Sequence, residues 1–183
     1  QGVRLTAIGK SAHAAKPEHS VNAVWLITSF LTGGGMLKDP AAAEAMRFLT
    51  DSMTDNAGTG LDIAASDTQT GSLTCICGMV FENNGFVTAN YNIRYPVSID
   101  IDALFLRLLN RVIKYGFSAS IESNSKGYFF SPDKPEIKAL TDAYSSVTGL
   151  ASEPFVMGGG TYARAFPNTV AFGAAFPGNA DLL

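Results

Sequence analysis

The chain has 183 residues, a formal net charge of −3 and 46% apolar residues, which is enough apolar surface to build a folded core. Its basic residues are scattered, and this argues against nucleic acid or an anionic membrane as a partner. No apolar run reaches the roughly 20 residues that a membrane-spanning helix needs. We therefore expect a globular protein with no nucleic-acid and no membrane partner.

The first part of the chain predicts one strand and two helices. Residues 3–8 alternate apolar and polar side chains, as a half-buried strand does. A loop that contains both histidines of the chain follows. Apolar periodicity then predicts a helix over residues 21–33, which ends at a run of glycines, and a second helix over about residues 40–53. We interpret residues 36–71 as a helical insert.

The middle of the chain predicts a β-hairpin followed by a helix and a further strand. Residues 72–82 and 86–95 flank Asn-Asn-Gly, which favours the positive φ angles of a tight turn. Asp100 or Asp102 can cap the following helix, and residues 117–122 read as a strand. The order β-α-(insert)-β-β-α-β predicts an α+β fold of the ferredoxin-like kind, with four antiparallel strands and helices on one face.

The last part of the chain predicts a different kind of structure. A turn-rich link at residues 131–135 leads into a helix that begins at Pro135 and ends at Gly149. Residues 169–173 are an apolar run typical of a buried strand in an α/β sheet. One helix and one strand cannot bury each other. We therefore predict a first domain over residues 1–130 and, over residues 131–183, a fragment of an α/β domain.

Three features could carry chemistry. His13 lies among small residues, so a ligand can approach its ring, although a lone loop histidine is more often solvated. Arg94 shares a strand face with two asparagines, and its guanidinium suits a carboxylate as well as an ordinary surface ion pair. Residues 158–160 are glycines whose N–H groups can face an anion, or form a structural turn. The lysine of a phosphate-binding loop is missing there, so carboxylate or peptide binding fits better.

The two cysteines, Cys75 and Cys77, point to the same side of a predicted strand. Their spacing does not allow a disulfide without distorting the strand, and two thiolates do not complete a zinc site. We expect them to be reduced, half-buried thiols of an intracellular protein.

Several of these segments together resemble the metallopeptidase family M-twenty, which includes aminoacylases, carnosinase and desuccinylases. Residues 9–18 (GKSAHAAKPE) and 92–96 (NIRYP) resemble motifs of its lid, or dimerisation, domain. Residues 158–164 (GGGTYAR), with 170–173 and 176–178, resemble the dipeptidase V branch. The resemblance covers nearly the whole chain, with the motifs in the same order.

The resemblance implies a zinc-dependent cytoplasmic dipeptidase, a hydrolase that activates water with two zinc, manganese or cobalt ions. It implies that His13 is a catalytic lid residue that stabilises the oxyanion, and that Arg94 binds the substrate's carboxylate. Gly159, Gly160 and Thr161 match a loop that lines the substrate pocket. The roles at Arg164 and Asn22 are less defined, and Asn22 can simply orient the start of a helix.

The same resemblance implies that this chain is a fragment. The metal ligands of the family lie in a domain that precedes the lid and at a histidine that would follow Leu183, so we expect no metal site here and no activity from the isolated chain. A lid that closes on its substrate would hinge around residues 123–135. The alternative is a non-catalytic α+β module used for homodimerisation or ligand binding.

Overall fold

A computed structural model describes residues 3–12 and 17–173. They belong to two compact units, one ending at Gly127 and the other beginning at Tyr128. The four α-helices are α1 (Ala23–Gly33), α2 (Pro40–Asp51), α3 (Ile101–Ile113) and α4 (Pro135–Thr148). The four strands are β1 (Ser66–Asp67), β2 (Gly71–Ser72), β3 (Thr74–Asn83) and β4 (Phe86–Arg94). The predicted α+β class is confirmed.

The long hairpin formed by β3 and β4 is the centre of the first unit. The two strands pair antiparallel, and the turn between them holds Asn84 at φ 52° and Gly85 at φ 81°. The Asn-Gly signal is therefore confirmed. A bulge between Cys77 and Met79 shifts the register by one residue. Simple alternation would place Cys77 and Met79 on the same face of β3, whereas the bulge places them on opposite faces. β1 and β2 form a separate miniature hairpin.

The predicted strands at residues 3–8, 117–122 and 169–173 are wrong, since none is a strand in the described chain. The first of them leaves Val3 91% and Ile8 87% exposed. Residues 117–122 meet β4 through side chains instead, and Asn90 Nδ2 donates to Glu122 Oε2 over 3.4 Å. The sheet built on the hairpin thus has two strands in the described residues and not four. Alternating apolar and polar residues show which side chains favour burial. A strand also needs backbone hydrogen bonds to a neighbouring strand, and these are not visible in the alternation.

The core of the first unit lies where the hairpin, α2, α3 and the segment between α2 and β1 meet. Ile63 and Leu73 are 0% and 1% exposed. The ring of Phe48 stacks on that of Tyr115 with centroids 4.2 Å apart. Buried residues that form the cluster are Phe48, Leu61, Ile63, Leu73, Cys75, Leu104 and Val112. One face of the hairpin packs against this core. The other face lies outside the core cluster.

Gly60 allows the segment after α2 to approach the end of that helix closely. A Cβ added at Gly60 would lie 2.2 Å from the carbonyl oxygen of Asp51 and 2.7 Å from Cα of Ser52. We expect Gly60→Ala to lower the free energy of unfolding by about 1–3 kcal/mol or more, because backbone has to move. Urea unfolding of the full-length protein measures this.

Gly33→Ala is the matched control for this substitution. An added Cβ at Gly33, in the last turn of α1, meets nothing within 4 Å. It should leave stability unchanged or raise it by up to about 1 kcal/mol through helix propensity. Equal stability of the two alanine variants would contradict the close approach at Gly60.

Candidate functional site

The open end of the β3–β4 hairpin carries the polar face that includes Arg94. Arg94 is half-buried and lies opposite Thr74 in the strand register. Its Nε donates to Oδ1 of Asn92, 3.4 Å away. The Thr74 hydroxyl is buried and has no hydrogen-bond partner among the described residues. A planar cation therefore stands at the end of a strand with Asn92 as one of its hydrogen-bond partners, and the parallel donors of a guanidinium match the geometry of a carboxylate.

The opposite face of the same strands explains why Arg94 points away from the core. Cys75, Cys77, Tyr91 and Ile93 alternate with the polar residues and face the interior. The hydroxyl groups of Tyr91 and Ser52 share a short hydrogen bond. The packing of this face against the core fixes β4. Arg94, which alternates with Ile93 at the end of β4, therefore lies on the opposite face of the hairpin.

The two cysteines are free, and each is 3% exposed, so they are fully buried and not half-buried as predicted. Burial raises the pKa of the Cys75 thiol to about 12, with the neighbouring Cys77 as a smaller cause. Burial also raises the pKa of Cys77. Both thiols are therefore protonated at neutral pH, and neither is suited to act as a nucleophile or a metal ligand.

Asn22 connects α1 to the hairpin. Its Oδ1 accepts hydrogen bonds from the backbone N–H groups of Val24 at 2.9 Å and Trp25 at 3.4 Å, which makes it the N-cap of α1. Its Nδ2 donates to the carbonyl oxygen of Cys77 over 2.9 Å, at the bulge in β3. The interpretation that Asn22 orients the helix start is confirmed, and the same side chain also fastens that helix to β3.

The loop that contains His13 is closed at its base next to Asn22. The backbone N–H groups of Lys10 and Val21 each donate to the other residue's carbonyl oxygen, both over 2.9 Å. His13 itself lies outside the described residues, so its catalytic role stays a prediction.

The glycine-rich segment of the second unit brings three of the predicted site residues together. The side chain of Arg164 lies against Gly160, where an added Cβ would be 2.9 Å from Nη1. The backbone N–H of Arg164 donates to the carbonyl oxygen of Thr161 over 3.1 Å, within a short 3-10 turn, Tyr162–Ala165. Gly159 precedes them in the same segment. Their proposed role in lining a substrate pocket stays a prediction.

Sequence reasoning missed Asp67, at the end of β1. Its Oδ1 accepts hydrogen bonds from the backbone N–H groups of Gln69 at 3.1 Å and Thr70 at 2.5 Å, and from the Thr70 hydroxyl at 2.9 Å. Its Oδ2 accepts from the backbone N–H and the hydroxyl of Ser98, at 3.3 Å and 2.9 Å. The backbone N–H of Val97 in turn donates to the Thr70 hydroxyl over 3.1 Å. Asp-x-x-Thr is an ordinary turn signal, and it does not reveal the contacts with residues 97 and 98.

Within residues 3–12 and 17–173, no group of three or more His, Cys, Asp or Glu side chains is placed to hold a metal ion. No helix in the described parts of the chain is long and apolar enough to cross a membrane.

Comparison with known proteins relates the chain to dipeptidases. No protein-family model matches it. It is 30% identical over 182 residues to a protein of Staphylococcus saprophyticus subsp. saprophyticus named "Putative dipeptidase", and these residues are 98% of this chain and 38% of that protein. A protein of Staphylococcus aureus strain MW2 with the same name is 29% identical over the same shares. The chain thus spans about two fifths of the length of these relatives, and its similarity to them supports a dipeptidase-like relationship.

Proposed function

We propose that this chain is part of a metal-dependent dipeptidase of the M-twenty kind and supplies the group that binds the substrate's C-terminal carboxylate. The observation that carries this proposal is the position of Arg94, a half-buried guanidinium at the end of a strand that the core holds in place. The similarity to proteins named as dipeptidases over 98% of the chain supports it independently.

The candidate site residues of the chain have the following parts in the proposed reaction. Arg94 binds the substrate's C-terminal carboxylate through two parallel charge-assisted hydrogen bonds. This contact fixes how far the cleaved peptide bond lies from the C-terminus of the substrate. His13 donates to the oxyanion that forms at the scissile carbonyl. Gly159, Gly160 and Thr161 line the pocket, and Arg164 lies beside them. A pair of zinc, manganese or cobalt ions, held by other parts of the longer protein, would supply the activated water.

We further propose that the enzyme acts in the cytoplasm, since its cysteines are free and protonated as they are in reducing compartments. In this proposal the chain contributes a lid domain and part of a catalytic domain.

Exposed apolar side chains favour a second candidate function, a non-catalytic homodimerisation or binding module. Met79 and Phe81 are 58% and 42% exposed, and both lie on β3 beyond the bulge. A module of this kind would lose self-association when both are replaced by serine, and it would tolerate any change at Arg94. Sedimentation of the full-length protein and of the double serine variant tests the self-association, and the effect of changing Arg94 on dipeptide hydrolysis separates the two candidates.

The proposed function is tested by removing the metal from the full-length protein. We expect hydrolysis of dipeptides to stop after chelation and to return when zinc, manganese or cobalt is added, while the isolated chain stays inactive with every metal. Circular dichroism of the chelated protein checks that the fold is retained. Hydrolysis that survives chelation, or metal-dependent hydrolysis by the isolated chain, would contradict the proposal.

A further inference from the structure

We propose that Asp67 is a positioning residue for Arg94, and that it fixes the strand end from which the guanidinium binds the substrate's carboxylate. This inference rests on the proposed function, because it concerns the same carboxylate site. It assigns to Asp67 no contact with the substrate.

The need for such a residue arises from the way the hairpin ends. Thr74 and Arg94 form the end pair of the β3–β4 register, and strand ends of this kind tend to fray. Pro96 follows shortly after Arg94 and has no N–H to continue the ladder. Neither β3 nor β4 pairs with another strand in the described residues. The backbone hydrogen bonds between β3 and β4 therefore do not by themselves fix the backbone that leads away from Arg94.

Asp67 supplies the missing connection from both sides of the hairpin's open end. The hydrogen bonds to Thr70 hold the turn that leads through β2 into Thr74, while those to Ser98 hold the loop that leaves Arg94. Thr70 adds the link to the backbone of Val97. One carboxylate thus joins the segment before Thr74 to the segment after Arg94, which are the two flanks of the same cross-strand pair.

The charge of Asp67 is satisfied by this arrangement. The backbone N–H of Thr70 is the main cause that lowers the pKa of Asp67 to about 2, and the hydroxyl groups of Ser98 and Thr70 also lower it. Asp67 is therefore ionised at neutral pH, with both carboxylate oxygens used as acceptors. An amide cannot reproduce this pattern, because its NH₂ group would face a backbone N–H donor, that of Ser98 or that of Thr70.

Asp67→Asn in the full-length enzyme tests the inference. We expect KM for a dipeptide to rise about tenfold while kcat stays within about twofold. The reason is that the substitution weakens the binding of the substrate's carboxylate by Arg94 and does not change the reacting groups. The same substitution in an Arg94→Ala background should have no further effect on kcat/KM, since the group that Asp67 positions is then absent. Ser98→Ala should change KM in the same direction by a smaller factor.

Asp62→Asn is the matched control. Asp62 is an exposed carboxylate of the same unit that pairs with Arg107 at 3.6 Å, and its replacement should leave both constants unchanged. An equal loss from Asp67→Asn with and without Arg94 would assign Asp67 a structural role and overturn the inference, as would an unchanged KM. Wild-type protein that hydrolyses no dipeptide would instead overturn the proposed function, and the inference with it.

Discussion

Replacing Arg94 with alanine in the full-length protein is expected to lower kcat/KM for dipeptides by at least about 30-fold. The reason is that removing one partner of a desolvated charge pair costs about 2–5 kcal/mol, and every 1.4 kcal/mol is a factor of about ten. Dipeptides whose C-terminus is an amide lack the carboxylate, so their slow hydrolysis should change little. Steady-state kinetics on the two substrates measures the difference.

Two further variants sharpen this prediction. Arg94→Lys keeps the charge but loses the planar pair of donors, so we expect an activity between wild type and Arg94→Ala. Arg107→Ala removes an exposed arginine whose partner is Asp62 and should leave turnover unchanged. If Arg94→Ala, with an unchanged melting temperature, hydrolyses dipeptides as fast as wild type does, Arg94 is not the carboxylate-binding group.

Replacing His13 with alanine is expected to lower kcat by about 100-fold or more with a smaller change in KM. A donor to the oxyanion acts mainly in the transition state, and loss of one such donor typically costs a factor of about 10²–10³. The matched control is His19→Ala, which removes the second histidine of the chain, at the end of the 3-10 turn Pro17–His19. Equal activities of the two variants would contradict the catalytic role proposed for His13.

Local signals predicted the parts of the fold that depend on neighbouring residues. Asn84 and Gly85 form the tight turn that their side chains favour, and Asp100 caps α3 through the N–H of Asp102. Pro135 begins α4, and Gly149 ends it with φ 70°. In each case the deciding contacts lie within a few residues, so the sequence contains the information directly.

Features that depend on distant partners were not predictable in the same way. Residues 3–8 alternate as a strand does, yet in the described chain they pair with no strand. The bulge between Cys77 and Met79 changes which side chains of β3 face the core, and simple alternation does not reveal it.

The candidate site also contains some features that depend on neighbouring residues and others that depend on distant residues. The role of Arg94 stays a prediction, but its position on the polar face with Asn92 could be predicted from strand alternation. Asp67 could not, because its contacts with Ser98 span 31 positions of the chain. The grouping of Gly160, Thr161 and Arg164 follows from their proximity in sequence, and the roles of these three residues and of Gly159 stay predictions.

The central claim is that Arg94 binds the carboxylate of a dipeptide in the longer enzyme. A crystal structure of the full-length protein with a non-hydrolysable dipeptide analogue tests it most directly. We expect two nitrogens of the Arg94 guanidinium to lie about 2.7–2.9 Å from the two carboxylate oxygens of the analogue. An analogue bound with its carboxylate on a different cation, and with Arg94 beyond hydrogen-bonding distance, would contradict the account.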